Sequence, residues 1–467
     1  MIIKNGLIAT ASDIFKGDIK ISNGIVTEIS ENINCSENNG NDEIEEIIDA
    51  TNLIVAPGGI DVHTHLNLDV GIAVAVDDFY TGTVAAACGG TTSIVDHIAF
   101  GPKNCSLDYM VNKYHGYADG MAVIDYGFHG VIQHVDDDVL KKMETLIGDG
   151  ITSYKFYMTY DYYLNDEEIS KVLKRAGELN LICTVHPENH GLVSFARNQF
   201  INSDDVKVQN HGKSRPLNCE AEAINRVLMM ANTLNNAPIY IVHLSNGKGL
   251  EIINLAKEKG QKNIFTETCP QYLFLDESLY EQETMEALKY TMSPPLRDKE
   301  NNDLLWKGII NNQIDVIATD HCPFNLNKEK LRGKDDFSKC PNGAPGVETR
   351  IPLLFSEGVS KKRISLNKFV DITSTTPAKI FGMYPKKGTI AVGSDADIIL
   401  IDPNKKVTIK KEILHENVDY TPYENFEVSG YPVVTISRGE VIVKDGDFIG
   451  KKGRGQFIKR EISKEIF

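Results

Sequence analysis

Tryptophan occurs once and proline only 17 times in 467 residues, a composition incompatible with a collagen-like or proline-rich disordered chain. Long hydrophobic runs are missing too. The longest are of the size of Ile398 to Ile401, far short of the roughly 18 residues a membrane span requires, so a soluble protein is expected. Lys4 interrupts the apolar start Met1-Ile2-Ile3 and no small-residue cleavage site follows, which predicts no export signal. The eight cysteines form no C-x-x-C pair, and reduced thiols in a cytoplasm are the simple expectation. Positive charge is in deficit. With 49 Lys+Arg against 65 Asp+Glu the net charge is −16, and no basic block offsets it, which disfavours nucleic acid as a partner. What is present is a globular composition, 42% hydrophobic and 24% charged, sufficient for one large domain and a smaller one.

Residues 18–22 and 25–29 alternate around Asn23-Gly24. Both central positions of a type I′ turn need φ > 0, which this pair tolerates, so a hairpin is expected. A polar stretch, 31–46, interrupts the pattern, and similar short strands return at 396–401, 433–437 and 440–443. Strand-rich ends predict one small β-sandwich domain assembled from residues 1–57 and 381–467, around a barrel of residues 58–380. Between the ends, apolar or β-branched runs at 59–65, 91–97, 125–129, 152–157, 181–186, 239–244, 263–268 and 315–320 give eight strands. Eight strands alternating with helical patterns predict an α/β fold, a (β/α)8 TIM barrel. Asn165 reads as the cap of a helix through Ile169, Val172 and Leu173, and Cys219–Ala223 opens another that runs through Met230. The connections after the first, fifth and eighth strands are long, and loops on that rim usually build a site.

The sharpest local signal is Asp61-Val62-His63-Thr64-His65. Residues two apart on a strand share a face, so His63 and His65 can present both imidazoles to one point, as a metal requires. Alone, H-x-H is a weak signal; two satisfied structural histidines would read the same. Position strengthens it. His186, His243 and Asp320 also end candidate barrel strands, which makes five metal-capable side chains at the carboxyl ends of four strands. Lys155 lies in the strand-like run Ser153–Met158, where a buried ammonium costs several kcal/mol unless neutralised or paired. Burial lowers its pKa, and a neutral amine can add CO₂ to become a carbamate able to bridge two ions. A lysine reaching the rim or paired with an aspartate is the alternative.

His63-x-His65, Lys155, His186, His243 and Asp320, in this order, resemble the binuclear amidohydrolase superfamily. Within it the chain resembles the dihydropyrimidinases and D-hydantoinases nearly end to end, in motifs such as Gly58–His65, Asp77–Thr83, Tyr154–Tyr160, Ser293–Arg297, Thr319–Phe324 and Asn342–Glu348. The resemblance implies two divalent ions, usually zinc. His63, His65 and Asp320 would hold the more buried ion, His186 and His243 the more exposed one, and carboxylated Lys155 would bridge them. It further implies that Asp320 acts as base and then acid on a metal-activated water, and that Tyr160 donates to the developing oxyanion. Main-chain groups of Ser293 and Asn342 would recognise the substrate's N–C(=O)–N edge. Ser293 before Pro294-Pro295 also suits simple turn chemistry. The run Asn417–Glu424 resembles the same family, whose members are commonly homotetramers.

The expected activity is hydrolysis of 5,6-dihydropyrimidine rings to N-carbamoyl-β-amino acids, with hydantoinase or allantoinase activity as alternatives. A non-catalytic scaffold, as in animal relatives that lost metal ligands, is a reading from a different class, but every ligand position here is filled. A mononuclear deaminase would not need Lys155. Dihydroorotases carry an arginine two residues after H-x-H, whereas this chain has Asn67, so a carboxylated ring lacks its counter-charge. His186-Pro187-Glu188-Asn189-His190 also departs from the usual small residue and glycine of the family. His97, His129, His190 and His321 are expected to be structural or surface residues, and Cys322 to line the pocket.

Overall fold

The structure is a computed structural model, and it describes residues 1–34 and 46–466. Most of the polar stretch 31–46 therefore lies outside the described residues. All eight anticipated barrel strands are present: Gly59–Thr64, Thr91–His97, Asp125–Val131, Ser153–Tyr157, Ile182–His186, Ile239–Ile241, Ile264–Thr268 and Val316–Ile317. They lie in sequence order, each parallel to its neighbour, in one eight-stranded sheet. The first and last strands are joined at the rim, where the His65 amide donates to the His321 carbonyl at 2.9 Å. Deeper down, the fully buried Arg350 guanidinium donates to Ile60 O at 3.0 Å and Ile317 O at 2.9 Å. Together these contacts close the sheet into a barrel.

One end of the barrel is plugged. Ala378, Ile380, Phe381 and Met383 pack against Ile60, Val62, Ile182, Tyr240 and Val316 from the strands, excluding water from that side. Each fully buried side chain of this size contributes about 1.5–3 kcal/mol. Chemistry is thus confined to the opposite, carboxyl-terminal rim. The helix Asp166–Leu179 begins as expected: Asn165 Oδ1 accepts from Glu168 N at 3.0 Å and Glu168 Oε2 accepts from Asn165 N at 2.9 Å, a complete capping box. The helix opened by Cys219 is longer at both ends, Leu217–Thr233.

Two strands end earlier than the sequence suggests, Ile239–Ile241 against 239–244 and Val316–Ile317 against 315–320. The cause lies in the backbone. His243 has φ +40° and Asp320 φ +54°, left-handed conformations that leave the extended path before the strand pattern of the sequence runs out.

The chain ends form a second, nine-stranded sheet. Ile54–Pro57 pairs in parallel with Ile2–Ala9 and antiparallel with Ile398–Thr408, so the two termini meet in one sheet. The expected hairpin is Ile14–Ser22 with Ile25–Ser30. The sheet folds back on itself where Val26 N donates to Ser394 O at 3.0 Å, and Ile3, Ile19, Ile21 and Val26 share a buried cluster with Ile398, Leu400 and Ile436. The Lys387 ammonium bonds Asp397 Oδ2 at 2.7 Å and, on a barrel strand, Asp125 Oδ2 at 2.6 Å, pinning sheet to barrel. Asp125, Asp395 and Asp397 could by spacing hold a cation, but this ammonium already fills the position.

Candidate active site

The carboxyl ends of the first, fifth, sixth and eighth barrel strands bring His63, His65, His186, His243 and Asp320 to one place. His63 Nε2 and His65 Nε2 converge on Asp320 Oδ1 at 3.1 and 3.0 Å. Next to them, His186 Nδ1 and His243 Nε2 face each other at 2.8 Å. The His63 and His243 rings are stacked with centroids 5.5 Å apart, so the two sets of donors form one cluster. Two of its members, Asp320 and His243, share a positive φ with Tyr160, a strain that concentrates at functional sites.

Electrostatics fit cation binding. Burial pushes His65, His186 and His243 down, so these imidazoles are neutral and their lone pairs are available. His63 differs. Burial lowers it, but the Glu267 and Asp320 carboxylates overcome that and raise it to about 9. Burial alone would raise Asp320, yet His63 and His65 hold it well below the usual carboxylate range. Lys155, only 1% exposed, is pushed down to about 8 by desolvation against the pull of Asp320 and Glu267. Among the described residues its Nζ meets only the Tyr157 ring, 5.3 Å from the centroid. A buried amine without a carboxylate partner among the described residues, beside imidazoles that converge on one carboxylate and on one another, is a donor set that could hold a cation. His63 Nε2, 3.1 Å from Asp320 Oδ1, is buried without a well-formed hydrogen bond among the described residues.

Several supporting residues escaped the sequence reading. Glu267 Oε1 accepts from His63 Nδ1 at 2.7 Å and from the His243 amide at 2.8 Å, while Oε2 accepts from the Tyr240 hydroxyl at 2.9 Å. Its signal was available: it is a charged residue in the apolar strand Ile264–Thr268, the argument that singled out Lys155. Glu188 Oε2 pairs with His186 Nε2 at 2.8 Å and with the Arg215 guanidinium. Burial would raise Glu188, but Arg215 and His186 bring it down to about 2. His97, expected to be structural, lies within the cluster, its ring 4.3 Å from His63 and 4.2 Å from His129. Its ring nitrogens come within 4.8 Å of those of His63 and His65, and burial keeps it neutral.

Tyr160 stands at the mouth, its ring 5.1 Å from that of His186 and 5.2 Å from the Arg215 guanidinium. Desolvation pushes its phenol up to about 12 against the pull of Arg215, so it remains a donor. The Ser293 hydroxyl lies beside that phenol, buried and without a well-formed hydrogen bond among the described residues. Gly343 N donates to Thr291 O at 3.1 Å, which brings the Asn342 segment alongside the Ser293 segment. The Cys322 amide donates to Ala344 O at 3.1 Å beside both. Asn67 is structural: with φ +55° its Oδ1 accepts from Phe79 N at 3.2 Å. His190 stacks on Tyr163 at 4.1 Å, and His321 pairs with Asp77 at 3.0 Å under the rim.

Comparison with known proteins agrees with this geometry. Residues 54–442 match the amidohydrolase family. D-phenylhydantoinase of Escherichia coli O1:K1 is 49% identical over 465 residues, covering 99% of this chain and 98% of that protein. The dihydropyrimidinase of Brevibacillus agri NCHU1002 superposes with a TM-score of 0.95 at 43% identity, covering 99% of this chain and 98% of its own. D-hydantoinase of Bacillus sp. AR9 gives a TM-score of 0.95 at 44% identity, covering 98% and 99%. Membership of this family implies a binuclear metal centre, and His63, His65 and His97 stand close enough together to hold an ion. This chain belongs to the amidohydrolase family, among the enzymes of the hydantoinase and dihydropyrimidinase type that hydrolyse cyclic amides.

Proposed function

We propose that this enzyme opens cyclic ureides, 5,6-dihydropyrimidines and 5-substituted hydantoins, to N-carbamoyl amino acids. The observation that carries the reading is the convergence of His63, His65, His186, His243 and Asp320 beside the buried Lys155, which has no ion pair among the described residues. Lys155 as an N6-carboxylysine would bridge two zinc ions, His63, His65 and Asp320 holding one and His186 and His243 the other. Imidazole and carboxylate donors with open positions suit zinc. When bound, the ions supply Lewis acidity and an acidified water.

The chain's own residues do the rest. Asp320, an anion held between two imidazoles, takes a proton from the attacking water and returns it to the departing ring nitrogen. Tyr160 stays protonated and donates to the carbonyl oxygen as charge develops there. Main-chain groups of Ser293 and Asn342 hold the ring's N–C(=O)–N edge. Phe100 packs against Tyr157 at 5.1 Å and Tyr162 at 4.6 Å, an aromatic wall beside Tyr160 that favours hydantoins bearing an aryl group.

The seven described cysteines are all free, which supports a cytoplasmic setting, and the Asn417–Glu424 resemblance supports a homotetramer. Mass measurement in solution checks it. The decisive experiment on function pairs metal analysis with turnover of dihydrouracil, dihydrothymine, phenylhydantoin and allantoin. Wild type holds two ions per chain and turns over phenylhydantoin best, whereas Lys155→Ala loses activity and at least one ion. Full activity and metal content in Lys155→Ala would refute the binuclear reading.

A further inference from the structure

Lys330 is fully buried, on the loop that follows the eighth barrel strand, and among the described residues it forms no ion pair with a carboxylate. Its ammonium instead donates three hydrogen bonds: to Thr291 O at 2.9 Å, Thr291 Oγ1 at 2.8 Å and Pro341 O at 3.3 Å. These saturate its three donors. A cation buried on neutral acceptors alone is costly, and a methionine of similar length would pack there without that cost. The acceptors belong to two segments distant in sequence. Thr291 precedes Ser293 by two residues, and Pro341 immediately precedes Asn342. The Thr291 carbonyl also accepts from Gly343 N at 3.1 Å, so Asn342 is tied on both sides to the strap that carries Ser293.

We propose that Lys330 is a positioning residue that sets the spacing between the Ser293 and Asn342 main chains, and with it selectivity for rings presenting a full N–C(=O)–N edge. The inference rests on the assignment of Ser293 and Asn342 as the groups that hold that edge. Lys330 touches neither the metal donors nor the reacting atoms. Its loss therefore acts on ring recognition and leaves metal binding and the chemical step in place. A fixed donor and acceptor pair discriminates strongly only while its spacing is held, because a shift of a few tenths of an ångström degrades both bonds together.

The test compares hydantoin with succinimide, in which a CH₂ replaces the outer ring N–H, on the metal-replete full chain. Wild type prefers hydantoin in kcat/KM by at least about tenfold, the penalty for leaving a site's polar groups unpaired. Lys330→Met brings that ratio down to about threefold or less by raising KM for hydantoin, with kcat for succinimide and the metal content held. If the Met variant does not fold, Thr291→Val, which removes one of the three acceptors, narrows the ratio in the same direction. A folded, metal-loaded variant that keeps the wild-type ratio overturns the role of Lys330. A wild type that does not discriminate the two rings overturns the Ser293 and Asn342 assignment itself.

Discussion

Replacing Glu267 by glutamine tests how the protein presents His63 to a metal. The change is isosteric, so the amide oxygen can still accept from His63 Nδ1 and the His243 amide, now at 2.7 and 2.8 Å, but without charge. Hydrogen bonds to a charged group are worth about 1.5–3 kcal/mol against about 0.5–1.5 for neutral ones, so two weakened bonds amount to about 2–3 kcal/mol. At about 1.4 kcal/mol per decade this is roughly 30- to 150-fold in intrinsic metal affinity, near the 10–100-fold usual for such supporting groups. The same carboxylate, however, raises the proton affinity of His63. In the metal-free protein His63 titrates at about 9, so below that pH an ion must displace a proton. At pH 7 this competition costs wild type about two decades, while Glu267→Gln keeps only the pull of Asp320 on His63 and the cost is smaller. The expected signature is therefore a widening gap. The wild-type advantage is smallest near pH 7 and grows with rising pH until about 9, after which wild type stays well ahead. Chelator competition with buffered free zinc, read by elemental analysis between pH 7 and 9.5, measures this. Parallel affinity curves for the two proteins over that range would refute the reasoning.

Tyr160→Phe removes the oxyanion donor while keeping the ring, so kcat falls by about 10²–10³ with metal content unchanged; steady-state kinetics and metal analysis check it. Arg215→Met leaves the fully buried Glu188 carboxylate with only His186, a loss of about 3–5 kcal/mol that thermal or urea unfolding reads directly. The same pair predicts an acid limb of stability. Because folding depresses Glu188 from the usual 4.5 to about 2, its contribution is fully present above pH 4.5 and is lost as pH falls toward 2. Urea midpoints of the metal-free protein between pH 6 and 3 should fall more steeply in wild type than in Glu188→Gln, and equal slopes would count against the assignment.

The sequence by itself determined the barrel and most of the side chains that converge at its rim. Strand periodicity needs only local alternation and β-branched content, and all eight runs formed strands. His63 and His65 were legible because two residues apart means one face, and Lys155 because a charge in an apolar strand demands an explanation. The same rule applied to the strand Ile264–Thr268 reaches Glu267. Tertiary structure alone decided the rest. No sequence spacing brings Arg215 to the face of Tyr160 and to Glu188, or Lys330 to both Thr291 and Pro341, because those contacts are made by long loops whose paths depend on what they pack against. The early ends of the His243 and Asp320 strands were hidden for a related reason. Positive φ at those residues is unfavourable locally and is held only by the surrounding rim contacts, so it exists in the folded barrel and leaves no mark in the pattern of residues.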